Sequence, residues 1–165
     1  MNNFLDRLDD IWDVHDNLSV SPSPVFSLKP IGVGTAYMES LSSYLKRLAQ
    51  MHHLRVVDLL AFCSAQTDKK VMLSTTHKFH RIDGLSQSGQ TWSQLLAELT
   101  CHSDVSYLSM SYWHFILNPY RLLGQYQAWC PLCYAASQQA KMPCYTPLIW
   151  SLQAVDVCLV HGMKL

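Results

Sequence analysis

Four residues near the end of the chain have the types and spacing to hold a metal ion. WCPLCY (129–134) carries Cys130 and Cys133 with two residues between them, and CLVH (158–161) repeats that spacing with Cys158 and His161. Two intervening residues let one tight turn aim both donors at the same ion, and three sulfurs with one imidazole suit a closed tetrahedral Zn²⁺ site. The two pairs are separated by 24 residues, and Pro131 and Gly162 agree with tight backbone turns at both. Other chemistries for the first cysteine pair fit less well. A thioredoxin-like redox pair follows a strand, opens a helix and needs no second Cys-x-x-His. A zinc deaminase joins Pro-Cys-x-x-Cys to an upstream His-x-Glu, whereas here Trp129 precedes Cys130 and no His-x-Glu occurs. Catalytic zinc keeps one position open, while four protein ligands fill the shell. The expectation is a structural Zn²⁺ held by Cys130, Cys133, Cys158 and His161.

The remaining candidates carry less. Cys63 falls on an apolar helical face and reads as core. Cys101, His102, Cys144, His77 and His80 could form a second metal set, but no spacing fixes their register. Gly32-Val33-Gly34 lacks the Gly-Lys-Ser/Thr of a phosphate loop. The acids of the body (Glu39, Asp58, Asp68, Asp83, Glu98, Asp104, Asp156) are scattered and form no catalytic constellation. The sequence therefore reads as that of a protein that is not an enzyme.

The elements that must position these residues are mainly helical. In ESLSSYLKRLAQMHH, Leu41, Tyr44, Leu45 and Leu48 share one face behind a capping Ser40. After a break at 52–54, RVVDLLAFC repeats the pattern with Val56, Val57, Leu60 and Cys63. Two short helices joined by a tight turn form a helical hairpin or the front of a helix-turn-helix. TWSQLLAELT (91–100) turns Trp92, Leu95, Leu96 and Leu99 inward, with Thr91 near its start, and SDVSYLSM forms a short helix capped by Ser103. Asn118-Pro119 and Gly124 mark turns ahead of the cysteine segment. YTPLIWSL, with its alternating apolar residues, reads as a strand crossing between the two metal-binding turns, as in a zinc ribbon. The expected fold is mainly α with a small zinc-ribbon β element. It divides into an acidic leader and linker (1–28), a helix-turn-helix-like domain (29–118) and a zinc-ribbon domain (119–165).

Of the 165 residues, 49% are hydrophobic and 15% charged, a globular composition. The net charge of zero hides an asymmetry. Up to Leu28 there are five acids against one base, and from Lys29 onward eleven bases against seven acids. Within the leader, Phe4, Leu8, Ile11 and Trp12 form an apolar stripe at helical spacing, which packs on its own domain or docks on a partner. SVSPSPVF follows as an extended linker. The stretch KKVMLSTTHKFHR (69–81) carries Lys69, Lys70, Lys78 and Arg81 without an acid, forming a solvated face or a phosphate contact. No apolar run approaches the roughly 18 residues of a membrane span, and MNNFLDRLDD is acidic where a signal peptide is basic. The expectation is a soluble intracellular protein that does not enter membranes.

SLSSYLKRLA, QAWCPLCY and LIWSLQAVDVCLVHGMKL together resemble the TniQ/TnsD family of transposon targeting proteins, from about residue 37 to the end. The shortness of the chain is similar to that of the TniQ proteins in CRISPR-associated transposons with a single type V effector. The resemblance implies a non-catalytic adaptor in RNA-guided DNA transposition, working in the bacterial cytoplasm. Such an adaptor links a guide-RNA CRISPR effector complex at the target to the AAA+ regulator TnsC, with guide RNA or target DNA as further contacts. It carries Cys130, Cys133, Cys158 and His161 over as zinc ligands. The rival reading is a sequence-specific helix-turn-helix and zinc-ribbon DNA-binding regulator.

Overall fold

Ser40 opens the first helix, α1 (Leu41–Met51), its hydroxyl accepting the Ser43 N–H at 3.2 Å. The computed structural model describes residues 23–67 and 79–165. The leader stripe Phe4, Leu8, Ile11 and Trp12 lies outside the described residues, as do Lys69, Lys70 and Lys78 of the basic stretch. Leu41, Tyr44, Leu45 and Leu48 of α1 are all fully buried, as their spacing requires. The helix ends at His52, and His53 turns the chain with a left-handed φ of 54°. Helix α2 (Val56–Ala65) then returns against α1.

The inward stripe of α2 is Leu59, Leu60 and Cys63, with Val56 partly buried. Val57, expected inside, is 41% exposed. The reason is angular: at 3.6 residues per turn, positions 56, 59, 60 and 63 share a face, and 57 falls off its edge.

Helix α3 (Gln87–Thr100) begins a full turn before the expected Thr91, because Ser86 is its cap and accepts the Gly89 N–H at 3.1 Å. Gly89 stands in that first turn. Its lack of a side chain lets the helix pass close to the preceding segment, where a Cβ would sit 2.3 Å from the Ile82 carbonyl oxygen. Trp92, Leu95, Leu96 and Leu99 face inward as their spacing predicts. Cys101 closes α3 with a left-handed φ of 57°, and the His102 N–H reaches back to the Ala97 carbonyl. The following segment is a 3-10 turn (Ser103–Tyr107), and Ser103 does not cap it. Val105 and Leu108 enter the same core, and the Leu108 carbonyl accepts the Leu41 N–H at 2.7 Å.

Helix α4 (Pro131–Gln139) starts at the first cysteine pair. The strand expected in YTPLIWSL does not form. Its centre is a 3-10 turn, Leu148–Ser151, and the described residues contain isolated bridges rather than strands: Glu39 with Pro147, Leu123 with Leu152, and Val157 with Lys164. Pro147 explains the difference. It has no N–H to donate and its φ of −60° starts the 3-10 turn, so the segment meets a new partner on each side of that turn.

Two buried carboxylates order this assembly. Asp83, on the 3-10 turn Phe79–Asp83, accepts the Ser42 N–H and the Ser42 hydroxyl at 2.7 Å each, and the Ser151 hydroxyl at 3.2 Å. Glu39 faces Arg47 Nε at 3.2 Å and accepts the Ser43 hydroxyl at 3.2 Å and the Ile31 N–H at 3.3 Å. Burial raises both acids against their partners, Glu39 from 4.5 to about 7 and Asp83 from 3.8 to about 6. A carboxyl with a raised folded value holds its proton more tightly in the native state. Its stabilising contribution is complete below the unfolded value and is lost as the pH climbs through the folded one. For Glu39 that window runs from 4.5 to about 7. The stability advantage of wild type over Glu39→Gln should therefore fall across that window, by up to about 1.4 kcal/mol per pH unit. Denaturant titrations of both proteins at several pH values measure it, and effects common to both cancel. A difference that stays constant with pH would mean that Glu39 titrates like an exposed glutamate.

Candidate metal centre

Cys130 is the residue before α4, and Pro131 occupies the first helical position, where its missing N–H costs nothing. Cys133 therefore lies one turn along from Cys130, on the same side of the helix start. The first ligand pair thus sits on a helix N-terminus. The second pair is closed by its own backbone. The Gly162 N–H donates to the Cys158 carbonyl at 2.7 Å, and the Cys158 N–H donates to the Met163 carbonyl at 2.7 Å. Gly162 holds a φ of 63°, a conformation in which a Cβ is strained. Behind the ligands, Trp150 is buried with Cys130 and Cys158, and Ala128, Tyr134, Ile149, Val155 and Leu165 pack around them.

The four donor atoms converge, all lying within 4.8 Å of one another. Cys133 Sγ is 3.6 Å from Cys158 Sγ, and His161 Nδ1 lies 3.5, 3.2 and 3.7 Å from the sulfurs of Cys130, Cys133 and Cys158. A tetrahedron built with the usual zinc bond lengths has edges of about 3.8 Å between sulfurs and about 3.5 Å from sulfur to nitrogen. The observed separations match that shape. They are far too long for a disulfide, whose sulfurs sit about 2.05 Å apart. The protonation chemistry agrees. Burial, followed by the adjacent Cys158 and Cys130 sulfurs, pushes the Cys133 thiol up to about 12. Burial also acts on Cys158, but the backbone N–H groups of His161 and Val160 outweigh it and lower that thiol. Three thiolates can share this space only if a cation neutralises them. The residues present thus fit a metal such as zinc. With four protein donors it would supply cross-linking rather than a reactive water.

The remaining metal-ligating side chains are dispersed. Cys63 is in the helical core, where burial pushes its thiol up to about 11. Cys101 is exposed at the end of α3, Cys144 Sγ lies 3.8 Å from the Tyr134 carbonyl, and His80 is buried beside α1. His77 lies outside the described residues. Among the described residues the Cys130, Cys133, Cys158 and His161 group is the one cluster able to hold an ion. Arg81, the described member of the basic stretch, is exposed on the 3-10 turn that carries Asp83. Sequence reasoning missed the carboxylates Glu39 and Asp83. Isolated acids in polar surroundings look like surface residues, and only Glu39's place next to a helix cap hinted otherwise.

Fold and site together define a mainly helical protein with a Cys₃His centre hung from one end of its first helix. The model of the TniQ family matches residues 30–165, and the chain belongs to that family. TniQ proteins are non-enzymatic accessory proteins of transposition. No curated protein matches the chain. No helix among the described residues is long and apolar enough to cross a membrane.

Elemental analysis of natively purified protein should find one zinc per chain. Cys158→Ser should lose it and, with it, cooperative unfolding of the C-terminal region. The expectation follows from magnitudes: structural zinc contributes on the order of 10–16 kcal/mol of apparent binding energy in small peptides, against a typical domain stability of about 5–15 kcal/mol. A metal-free wild type that melts cooperatively would contradict it.

Proposed function

We propose that this chain is a non-catalytic adaptor in RNA-guided DNA transposition, linking a CRISPR effector complex at the target to the AAA+ regulator TnsC. The observation that carries the reading is the family match, which spans both the helical hairpin and the Cys₃His centre. The centre supports it physically, since a closed four-ligand site stiffens a surface without supplying chemistry. The division into a helix-turn-helix-like part and a zinc-bearing part belongs to this proposal, as do the type V setting and the bacterial cytoplasm.

The direct test is recruitment. The zinc-loaded chain, immobilised, should retain purified TnsC, and should bring TnsC to an effector–guide RNA complex on target DNA. Failure of both would end the adaptor reading. The leader supplies a second test, because Phe4, Leu8, Ile11 and Trp12 give it an apolar stripe suited to docking on TnsC. Deleting residues 2–18 should weaken TnsC retention and leave the melting temperature unchanged. A lower melting temperature with full retention would assign the stripe to intramolecular packing.

The basic stretch is assigned to phosphate contact with guide RNA or target DNA. Lys69→Glu/Lys70→Glu should lower recruitment to the assembled complex most strongly at low salt, and the deficit should narrow as salt rises, because a chain with fewer phosphate contacts depends less steeply on salt. Wild-type recruitment at both low and high salt would make the stretch a solvated face.

A further inference from the structure

A cavity of about 300 Å³ opens between α1 and the segment that leads into the metal centre. Its walls combine two cations, Lys46 and Arg47, with three aromatics, Trp129, Tyr134 and Tyr145. No carboxylate lines it. The cations are held in place. Lys46 Nζ donates to Gln127 Oε1 at 2.6 Å, and Arg47 Nη2 donates to the Lys29 carbonyl at 3.0 Å. Arg47 Nε pairs with the Glu39 carboxylate across 3.2 Å, which leaves Lys46 as the cation of the cavity without a salt-bridge partner among the described residues. Burial lowers the Lys46 pKa and outweighs the attraction of the Asp83 carboxylate.

The aromatic side is equally fixed. Trp129 precedes Cys130 directly, so its backbone is anchored by the metal centre, yet the residue is 53% exposed. Tyr134 lies on α4 with its ring 5.7 Å from that of Trp129, and its hydroxyl bonds to Thr146 Oγ1 at 2.8 Å. A large exposed indole on a rigid support is a stacking platform. The volume is at the low end for small-ligand pockets. It suits one flat ring and one anionic group.

We infer that this cavity binds one nucleotide of a single-stranded nucleic acid, with the base stacked on Trp129 and the phosphate drawn to Lys46. The inference deepens the adaptor reading and rests on its nucleic-acid arm. It names a site separate from the Lys69–Arg81 stretch.

Fluorescence anisotropy of a labelled single-stranded octanucleotide, titrated with the full zinc-loaded chain at two salt concentrations, tests it. Trp129→Ala should weaken binding roughly tenfold and Trp129→Phe by much less, since stacking is worth about 1–3 kcal/mol per base. Lys46→Gln, on α1 and away from the metal, should weaken binding and flatten the salt slope by about one unit. Zinc content and melting temperature are measured for each variant, and Lys46→Gln decides the matter if Trp129→Ala loses metal. Undetectable binding by wild type overturns the inference, as does wild-type affinity in Lys46→Gln. Duplex bound as tightly as single strand overturns it in favour of a general phosphate surface. A mononucleotide competing as well as the octamer overturns it in favour of a free-nucleotide site. TnsC retention is scored separately. Loss of oligonucleotide binding with TnsC retained condemns the cavity alone, and the reverse condemns the adaptor role alone.

Discussion

The start of α1 holds two buried carboxylates, and much of the structure is arranged to make that tolerable. An ionised group in a protein interior is costly unless donors surround it. Asp83 gathers three donors from Ser42 and Ser151, and Glu39 gathers Arg47, Ser43 and Ile31. The positive end of the helix dipole lies at the same place and favours both anions. Satisfying Asp83 requires that the 3-10 turns Phe79–Asp83 and Leu148–Ser151 meet the first turn of α1. Satisfying Glu39 pins the 31–39 loop and orients Arg47.

The metal segment is placed by the same constraint. Between the two ligand pairs, the chain lays residues 146–148 along residues 38–43: the Ser40 N–H donates to the Thr146 carbonyl, the Leu148 N–H to the Met38 carbonyl, and the Thr146 N–H to Ser43 Oγ. Trp150 faces the other way, into the ligand cluster. One short stretch thus has one side against the helical core and the other against the Cys₃His site. The cluster buries few apolar residues of its own, so its cohesion depends on the ligands and on this shared wall.

The cavity beside Trp129 is a by-product of that joint with chemical character. One wall is the edge of α1 that carries the half-buried Lys46 and the buried Arg47. The other is the lead-in to the metal centre, which carries Gln127 and Trp129. Neither wall can move far, since one is tied by helix hydrogen bonds and the other ends on a metal ligand. Such preorganisation reduces the ordering cost of binding.

The sequence by itself determined which residues could hold a metal, that the body is helical, and which faces of α1 and α3 turn inward. These are local properties. Ligand spacing is set by one turn, and helical burial by a period of 3.6 residues. Tertiary structure decided the rest. Only the packed chain shows that YTPLIWSL meets Glu39 on one side and Leu123 on the other, so that it bends into a 3-10 turn instead of pairing as a strand. Only the fold brings Asp83 to Ser42 and Ser151, and Lys46 opposite Trp129, across separations of 41 to 83 residues. Such pairings depend on where distant segments meet in space, and no local period of the sequence encodes that meeting.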